Sequence, residues 1–300
     1  MLTRWKVRMS LLLTLVIGFG VCWWLGGAGV IAADGRSGSL LGQPSPAVAA
    51  LLGAAGAIAA AVVGVLLLGS VRPYGGVLGA SFGLLALAIR GGPMTFVMQA
   101  ATGKSVFVRL TVELVLLAGV LVTAWWVGER LRPARVVPVD PDDDDAHDDR
   151  GPVPIHQTAL ALGVSTFVCG AVIYLLGQSD DKAQALAAVG IGAYLGTWAA
   201  CQVGPARAAA WSWASPLVVG TVGYLLATWM PGADWRVDFV RQPLATVTPL
   251  DYASIGPALA VLSYWSNRRW ATDAEYEDAE PAAQPAPAAV NAGTTATATR

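Results

Sequence analysis

The chain has 300 residues and a formal net charge of −1; 55% of its residues are hydrophobic and only 13% are charged. Soluble domains carry about 25% charged residues, so this composition excludes an ordinary soluble domain and predicts an all-α integral membrane protein. The cysteines form no CxxC pair, which argues against both a disulfide framework and a zinc site.

A basic N-terminal flank precedes the first apolar stretch, residues 9–33. Arg4, Lys6 and Arg8 make up this flank, and about 20 apolar residues suffice to cross a bilayer. We therefore predict a retained transmembrane helix. A signal peptide cleaved near the small residues at Ala33 would share these features, and this alternative stays open.

Three further apolar stretches complete a first membrane half, residues 1–128. They cover residues 47–69, 74–89 and 105–128. Between the last two lies the stretch 91–104, which is too short to cross a bilayer and too apolar for an ordinary loop. We predict an interfacial or re-entrant segment there.

A polar segment, residues 129–156, separates the first half from a second half, residues 157–267. Its aspartates and prolines cannot bury a core, so we predict a disordered, solvated linker. The second half has crossings at residues 157–177, 183–203, 211–230 and 250–265, with a semi-polar segment at 231–249. The tail, residues 268–300, has no hydrophobic periodicity, and we expect it to be disordered.

Basic residues are distributed unevenly between the two sides that eight crossings create. If the N-terminus lies inside, the inner side receives the basic flank together with Arg72, Arg130, Arg207 and Arg268, and the outer side receives half as many basic residues. The positive-inside rule then places both termini and the linker in the cytoplasm. We therefore expect a multi-pass protein of a bacterial-type inner (plasma) membrane.

The two halves share short matches that suggest an internal repeat. The motif FVMQ, which ends at Gln99, precedes the fourth crossing, and FVRQ, which ends at Gln242, precedes the eighth. Cys22 in the first crossing and Cys169 in the fifth each follow a valine. Four crossings per half is an even number, so both halves would point the same way as a 4+4 parallel repeat.

Glycines at a spacing of four residues mark two crossings as close-packing helices. Gly75, Gly79 and Gly83 share one face of the third crossing, and Gly192 and Gly196 share a face of the sixth. Without side chains, these positions let another helix approach closely.

A candidate polar site lies in the fourth crossing, where Arg109 and Glu113 stand four residues apart and can pair. Charges at membrane depth usually face a protein interior or water, so the pair, with Arg90 and Asp251 near by, is a candidate site for a substrate or an ion. The alternative is a structural salt bridge, with Asp251 acting as the N-cap of the eighth helix.

No catalytic, metal or cofactor site is indicated. Ser81 lies in a GxSxG pattern, but the histidines His147 and His156 lie outside the helices, so the serine has no evident base. The acidic run at residues 142–149 lacks the spacing of a calcium loop. We therefore expect no enzyme and no cofactor.

Two functions remain. The first is a permease for a small molecule or an ion, with its site between the two halves. The second is a non-catalytic membrane subunit or scaffold that binds a membrane-protein partner. Both require the lipid bilayer, and no basic patch outside the membrane indicates nucleic acid.

Overall fold

The computed structural model describes residues 2–27, 39–69, 72–131, 153–179, 181–229 and 242–279. Over these residues the chain is helical and has no strand. Parts of three predicted segments lie outside the described residues. They are most of the linker, residues 230–241 of the second semi-polar segment and residues 280–300 of the tail.

Nine α-helices follow one another along the described chain. They are α1 (Leu2–Leu25), α2 (Pro46–Leu68), α3 (Gly75–Arg90), α4 (Met94–Ala100), α5 (Ser105–Leu131), α6 (Ile155–Leu176), α7 (Lys182–Val203), α8 (Ser215–Trp229) and α9 (Pro249–Ala279). Two 3₁₀ helices, Ala206–Ala214 and Pro243–Ala245, precede α8 and α9.

Within the described residues, six helical stretches are long and apolar enough to cross a membrane, or up to seven if the bent pair α3 and α4 forms one span. This confirms the prediction of an all-helical, multi-pass membrane protein. The predicted total of eight crossings is higher than length and composition alone support, because α3 has only 16 residues and α9 is the least apolar of the long helices.

The stretch predicted to be interfacial or re-entrant contains the short helix α4. It meets α3 at an angle of 61° across the break at residues 91–93. Pro93 lacks the backbone N–H that would continue the helical hydrogen bonds. Met94 and Met98 of α4 are buried in the core, so the segment turns back onto the protein.

Prolines shape the start of α8 and the middle of α9. Residues 206–214 form a 3₁₀ helix, and the α-helix begins only at Ser215, because Pro216 cannot donate a hydrogen bond to Ser212. In α9, Pro257 lies inside the helix and follows Gly256. A Cβ on Gly256 would lie 2.7 Å from Pro216, so α8 and α9 approach closely at these prolines.

Each half forms its own helical cluster, and the two clusters share one core. In the first half α1, α2 and α3 pack together; in the second, α6 packs on α7 and α7 packs on α9. Between the halves, α9 contacts α3 and α5, and α8 contacts α5. Most buried apolar residues of both halves belong to one continuous cluster, and a second, smaller one lies in the second half around Ala200, Ala208 and Tyr264.

The end of the molecule at which α5, α7 and α9 begin is called the polar end below. Charged and hydrogen-bonding side chains become buried there, near the ends of α1 and α3 and the start of α2.

Candidate functional site: two buried carboxylates at the polar end

Glu113 on α5 is 1% exposed, and its carboxylate binds the segment that leads into α2. Oε1 accepts a hydrogen bond from the backbone N–H of Leu40 at 2.9 Å, and Oε2 accepts one from Leu41 at 3.2 Å. The Ser39 hydroxyl also donates to Oε2. Backbone donors next to a buried carboxylate offset part of the cost of removing the charge from water.

Arg109 lies one turn before Glu113, but its side chain is exposed. Among the described residues no ion pair joins the two, although the positive charge of Arg109 acts on the carboxylate. Arg109 and Glu113 therefore lie one turn apart on α5, as predicted. The carboxylate oxygens of Glu113, however, face Ser39, Leu40 and Leu41.

Arg90, at the end of α3, is turned toward α1. Its guanidinium donates from Nη1 to the carbonyl oxygen of Trp23 at 3.1 Å and lies 4.6 Å from the centroid of the Trp23 ring. A Cβ on Gly27 would come within 2.0 Å of the same nitrogen, so a side chain there would force the guanidinium to move. Arg90 thus joins α3 to the end of α1.

Asp251, in the first turn of α9, is fully buried. Its Oδ1 lies 2.6 Å from Nζ of Lys182, and its Oδ2 accepts a hydrogen bond from the Thr248 hydroxyl at 2.8 Å. The backbone N–H of Thr248 donates to Oδ2 of Asp251 at 3.3 Å. The backbone N–H of Asp251 donates to the Thr248 hydroxyl oxygen at 3.4 Å. This reciprocal arrangement resembles a capping box, so the cap position belongs to Thr248 and Asp251 completes the cap.

Two buried tyrosines also belong to the polar end. The Tyr224 hydroxyl donates to the carbonyl of Val247 at 2.5 Å, and the two rings, Tyr224 and Tyr252, meet edge to face at 6.2 Å. Both carboxylates act electrostatically on the Tyr224 hydroxyl. The polar end therefore holds one buried carboxylate from each half.

Gly220 on α8 is one point at which the two halves meet. A Cβ there would lie 2.6 Å from Tyr252 and 2.7 Å from Leu114. These two side chains follow Asp251 and Glu113 directly in sequence. The absence of a side chain at Gly220 thus lets α5 and α9 converge on α8.

The other predicted residues lie elsewhere. Gln99 is exposed on α4, and Gln242 is partly buried before the second 3₁₀ helix; residues 239–241 of the matching motif lie outside the described residues. Ser81 is fully buried, and its hydroxyl has no hydrogen-bond partner.

His156 is exposed at the start of α6, and His147 and the acidic run 142–149 lie outside the described residues. Across the part of the chain that the structure describes, no group of three or more potential metal ligands occurs.

The predicted glycine faces lie at close helix contacts. On α3, Cβ atoms at Gly75, Gly79 and Gly83 would meet α2 at 2.9, 2.3 and 2.9 Å. On α7, Cβ atoms at Gly192 and Gly196 would meet backbone atoms of α6 at 2.9 and 2.5 Å.

Sequence reasoning missed Ser39, Lys182, Thr248, Tyr224 and Tyr252 as members of the polar end. Two of them could have been found from their positions in the sequence. Lys182 is the first residue of α7, and Thr248 immediately precedes α9. No comparable signal existed for Ser39, which meets Glu113 across 74 residues of sequence.

Comparisons of the chain with protein-family models, with curated proteins and with solved structures return no match. The chemistry of the site therefore rests on its geometry. Two carboxylates, a lysine and tyrosine hydroxyls can bind or exchange protons and can contact a polar solute.

Proposed function

We propose that this protein is a multi-pass membrane permease that binds a small solute or an ion between its two halves at the polar end. The observation that carries the proposal is the pair of buried carboxylates, Glu113 and Asp251, one from each half and both at the polar end. Ionisable residues inside membrane segments are costly, and they often mark substrate and ion pathways.

The proposal includes a 4+4 parallel repeat, with α3 and α9 counted as crossings. The two carboxylates support it, because each lies on the last helix of its half. Glu113 binds Ser39–Leu41, just before the second helix of the first half, and Asp251 binds Lys182, the first residue of the second helix of the second half. The contacts between halves are reciprocal as well: α9 packs on α3, and α5 packs on α8.

The two matched cysteines give the repeat further support. Cys22 on α1 packs on Gly56 of α2, where a Cβ would lie 3.0 Å from the sulfur. Cys169 on α6 packs on α7, where Cβ atoms at Gly192 and Gly196 would lie within 2.9 and 3.2 Å of it. In both halves a buried cysteine of the first helix thus lies against a glycine of the second helix.

The proposed orientation has both termini in the cytoplasm of a bacterial-type inner membrane and the polar end outside. Cysteine introduced at Gln178, which is exposed after α6 at the polar end, should react with a membrane-impermeant thiol reagent in intact cells. Cysteine at the exposed position His156, at the opposite end of α6, should react only after permeabilisation. Cys201→Ser provides the background, because the other two cysteines are buried. Labelling of position 156 in intact cells would reverse the orientation.

Ligand-dependent stabilisation tests the permease proposal, because a solute that binds the folded state raises its melting temperature. We expect that a panel of small ions and polar solutes contains at least one that stabilises the purified wild-type protein. Glu113→Gln and Asp251→Asn should each remove that increase in Tm. The matched control is Glu129→Gln, which changes an exposed glutamate at the far end of α5 and should preserve the increase. An increase that survives both site variants would place the ligand elsewhere and contradict the proposed site.

A second candidate is a non-catalytic membrane subunit or scaffold. It is favoured by the finding that the direct partners of each carboxylate come from the same half: residues 39–41 for Glu113, and Lys182 and Thr248 for Asp251. A site already satisfied by its own chain is compatible with a structural role. In that case the site variants would alter stability alone, and a protein partner would still copurify with Glu113→Gln and Asp251→Asn.

A further inference from the structure

We propose that Glu113 is a proton-controlled clasp on the segment Ser39–Gln43, which leads into α2. The ionised carboxylate holds this segment against α5, and protonation of the carboxylate releases it. The inference does not depend on whether the protein moves a solute, because it concerns only the contact between one side chain and one segment.

The clasp consists of three donors that converge on one carboxylate. Two of them are the backbone N–H groups of Leu40 and Leu41, and the third is the Ser39 hydroxyl. The N–H groups cannot rotate to become acceptors. An ionised carboxylate offers acceptor positions only, so it matches this set of donors.

Protonation weakens that match on either oxygen. A proton on Oε1 places an O–H group beside the N–H of Leu40. A proton on Oε2 can be donated to the Ser39 hydroxyl oxygen, and Ser39 then no longer donates to the carboxyl group. In both cases the remaining bonds lose the charge, and charge-assisted hydrogen bonds are about twice as strong as neutral ones. The protonated side chain therefore holds the segment less tightly.

Burial makes this weakening consequential. Leu40 is 3% exposed, and its side chain reaches α2, where a Cβ on Gly53 would lie 3.6 Å away. A buried N–H group that loses its partner is destabilising, because it no longer has a bond to water or to protein. Once Glu113 is neutral, the N–H groups are therefore favoured to move toward water, while burial of the Leu40 side chain opposes a larger displacement.

The charged and titratable groups around Glu113 come from three helices. Arg109, on the same helix, favours the ionised carboxylate. Tyr224 on α8 lies within electrostatic range of Glu113, and it is also within range of Asp251 on α9. Asp251 has its own counter-ion in Lys182, so Arg109 is the positive group that acts on the clasp among the described residues.

Hydrogen–deuterium exchange of the full-length protein in lipid nanodiscs tests the clasp. The peptide that contains Leu40 and Leu41 should be protected at about pH 8. Its protection factor should fall about tenfold by about pH 4.5. Rates are corrected with an unfolded peptide of the same sequence at each pH, since chemical exchange itself depends on pH. The Glu113→Gln variant should show the low-pH level of protection at every pH, because its neutral amide replaces one acceptor oxygen with a donor group.

Two references make the result decisive. Glu129→Gln should reproduce the wild-type pH profile, because that glutamate is exposed at the opposite end of α5. A peptide from α7 should stay protected in every variant, which separates local release from unfolding. If Glu113→Gln fails to fold, the wild-type pH series alone decides. Protection that stays flat across the pH range, or that persists in Glu113→Gln, would overturn the proposal.

Discussion

The substitution Gly79→Ala is expected to lower the free energy of unfolding by about 3 kcal/mol. A Cβ at this position would lie 2.3 Å from the backbone carbonyl oxygen of Ala60, far inside van der Waals contact. The facing atom belongs to the backbone of α2, so no side chain can rotate out of the way. The helices must therefore separate, and Gly64, whose Cα lies 3.2 Å from the same point, is displaced with them.

Thermal unfolding of the purified protein measures this effect, with Gly119→Ala as the matched control. Gly119 lies on α5, and a Cβ there would meet nothing within 4 Å. Alanine in a helix interior is favoured over glycine by about 0.8–1.0 kcal/mol, so the control should be neutral or more stable. Equal shifts of Tm in the two variants would show that α2 and α3 are not packed as closely as the structure places them.

The close contact between α2 and α3 could be predicted from the sequence only in part. The spacing of Gly75, Gly79 and Gly83 predicted a close-packing face on α3, but it did not identify the facing helix. The partner surface on α2 lies in a stretch where alanine and glycine are so frequent that no single face stands out. Only the tertiary structure places Ala60 and Gly64 opposite the glycines.

Helix positions followed from the sequence where hydrophobic stretches were long and bounded by proline or charge. The predicted crossing at residues 211–230 is not α-helical at its start. The 3₁₀ helix runs to Ala214, and α8 begins only at Ser215, next to Pro216. Helix α9 also runs to Ala279, beyond the predicted end at residue 265. Hydropathy marks the part of a helix that suits a bilayer, and a helix can continue past it into water.

The candidate site was predictable in one respect only. Glu113 and Asp251 stood out because acidic residues are costly within apolar stretches. Their partners could not be read from the sequence, since Ser39 and Lys182 lie 74 and 69 residues away and reach the carboxylates through helix packing. Sequence proximity instead favoured Arg109 as the partner of Glu113, and the structure leaves that side chain exposed.

Replacing Glu113 with leucine should lower the free energy of unfolding by about 3 kcal/mol. The leucine accepts no hydrogen bond, so the N–H groups of Leu40 and Leu41 lose their partner while they remain next to a buried surface. Removal of a buried charge offsets part of this cost, which keeps the effect below the sum of the bonds. Chemical or thermal unfolding in one detergent gives the change.

Arg109→Leu is the control on the same helix and should shift stability by no more than about 0.5 kcal/mol, since the side chain is exposed. The double variant then separates the two interpretations of this pair. If Arg109 were a salt-bridge partner, removing both charges would be less harmful than removing Glu113 alone, because an uncompensated charge would no longer remain. The structure instead predicts that the double variant matches the sum of the single ones, with a coupling energy below about 0.5 kcal/mol. A larger favourable coupling would show that Glu113 binds Arg109 rather than Ser39–Leu41.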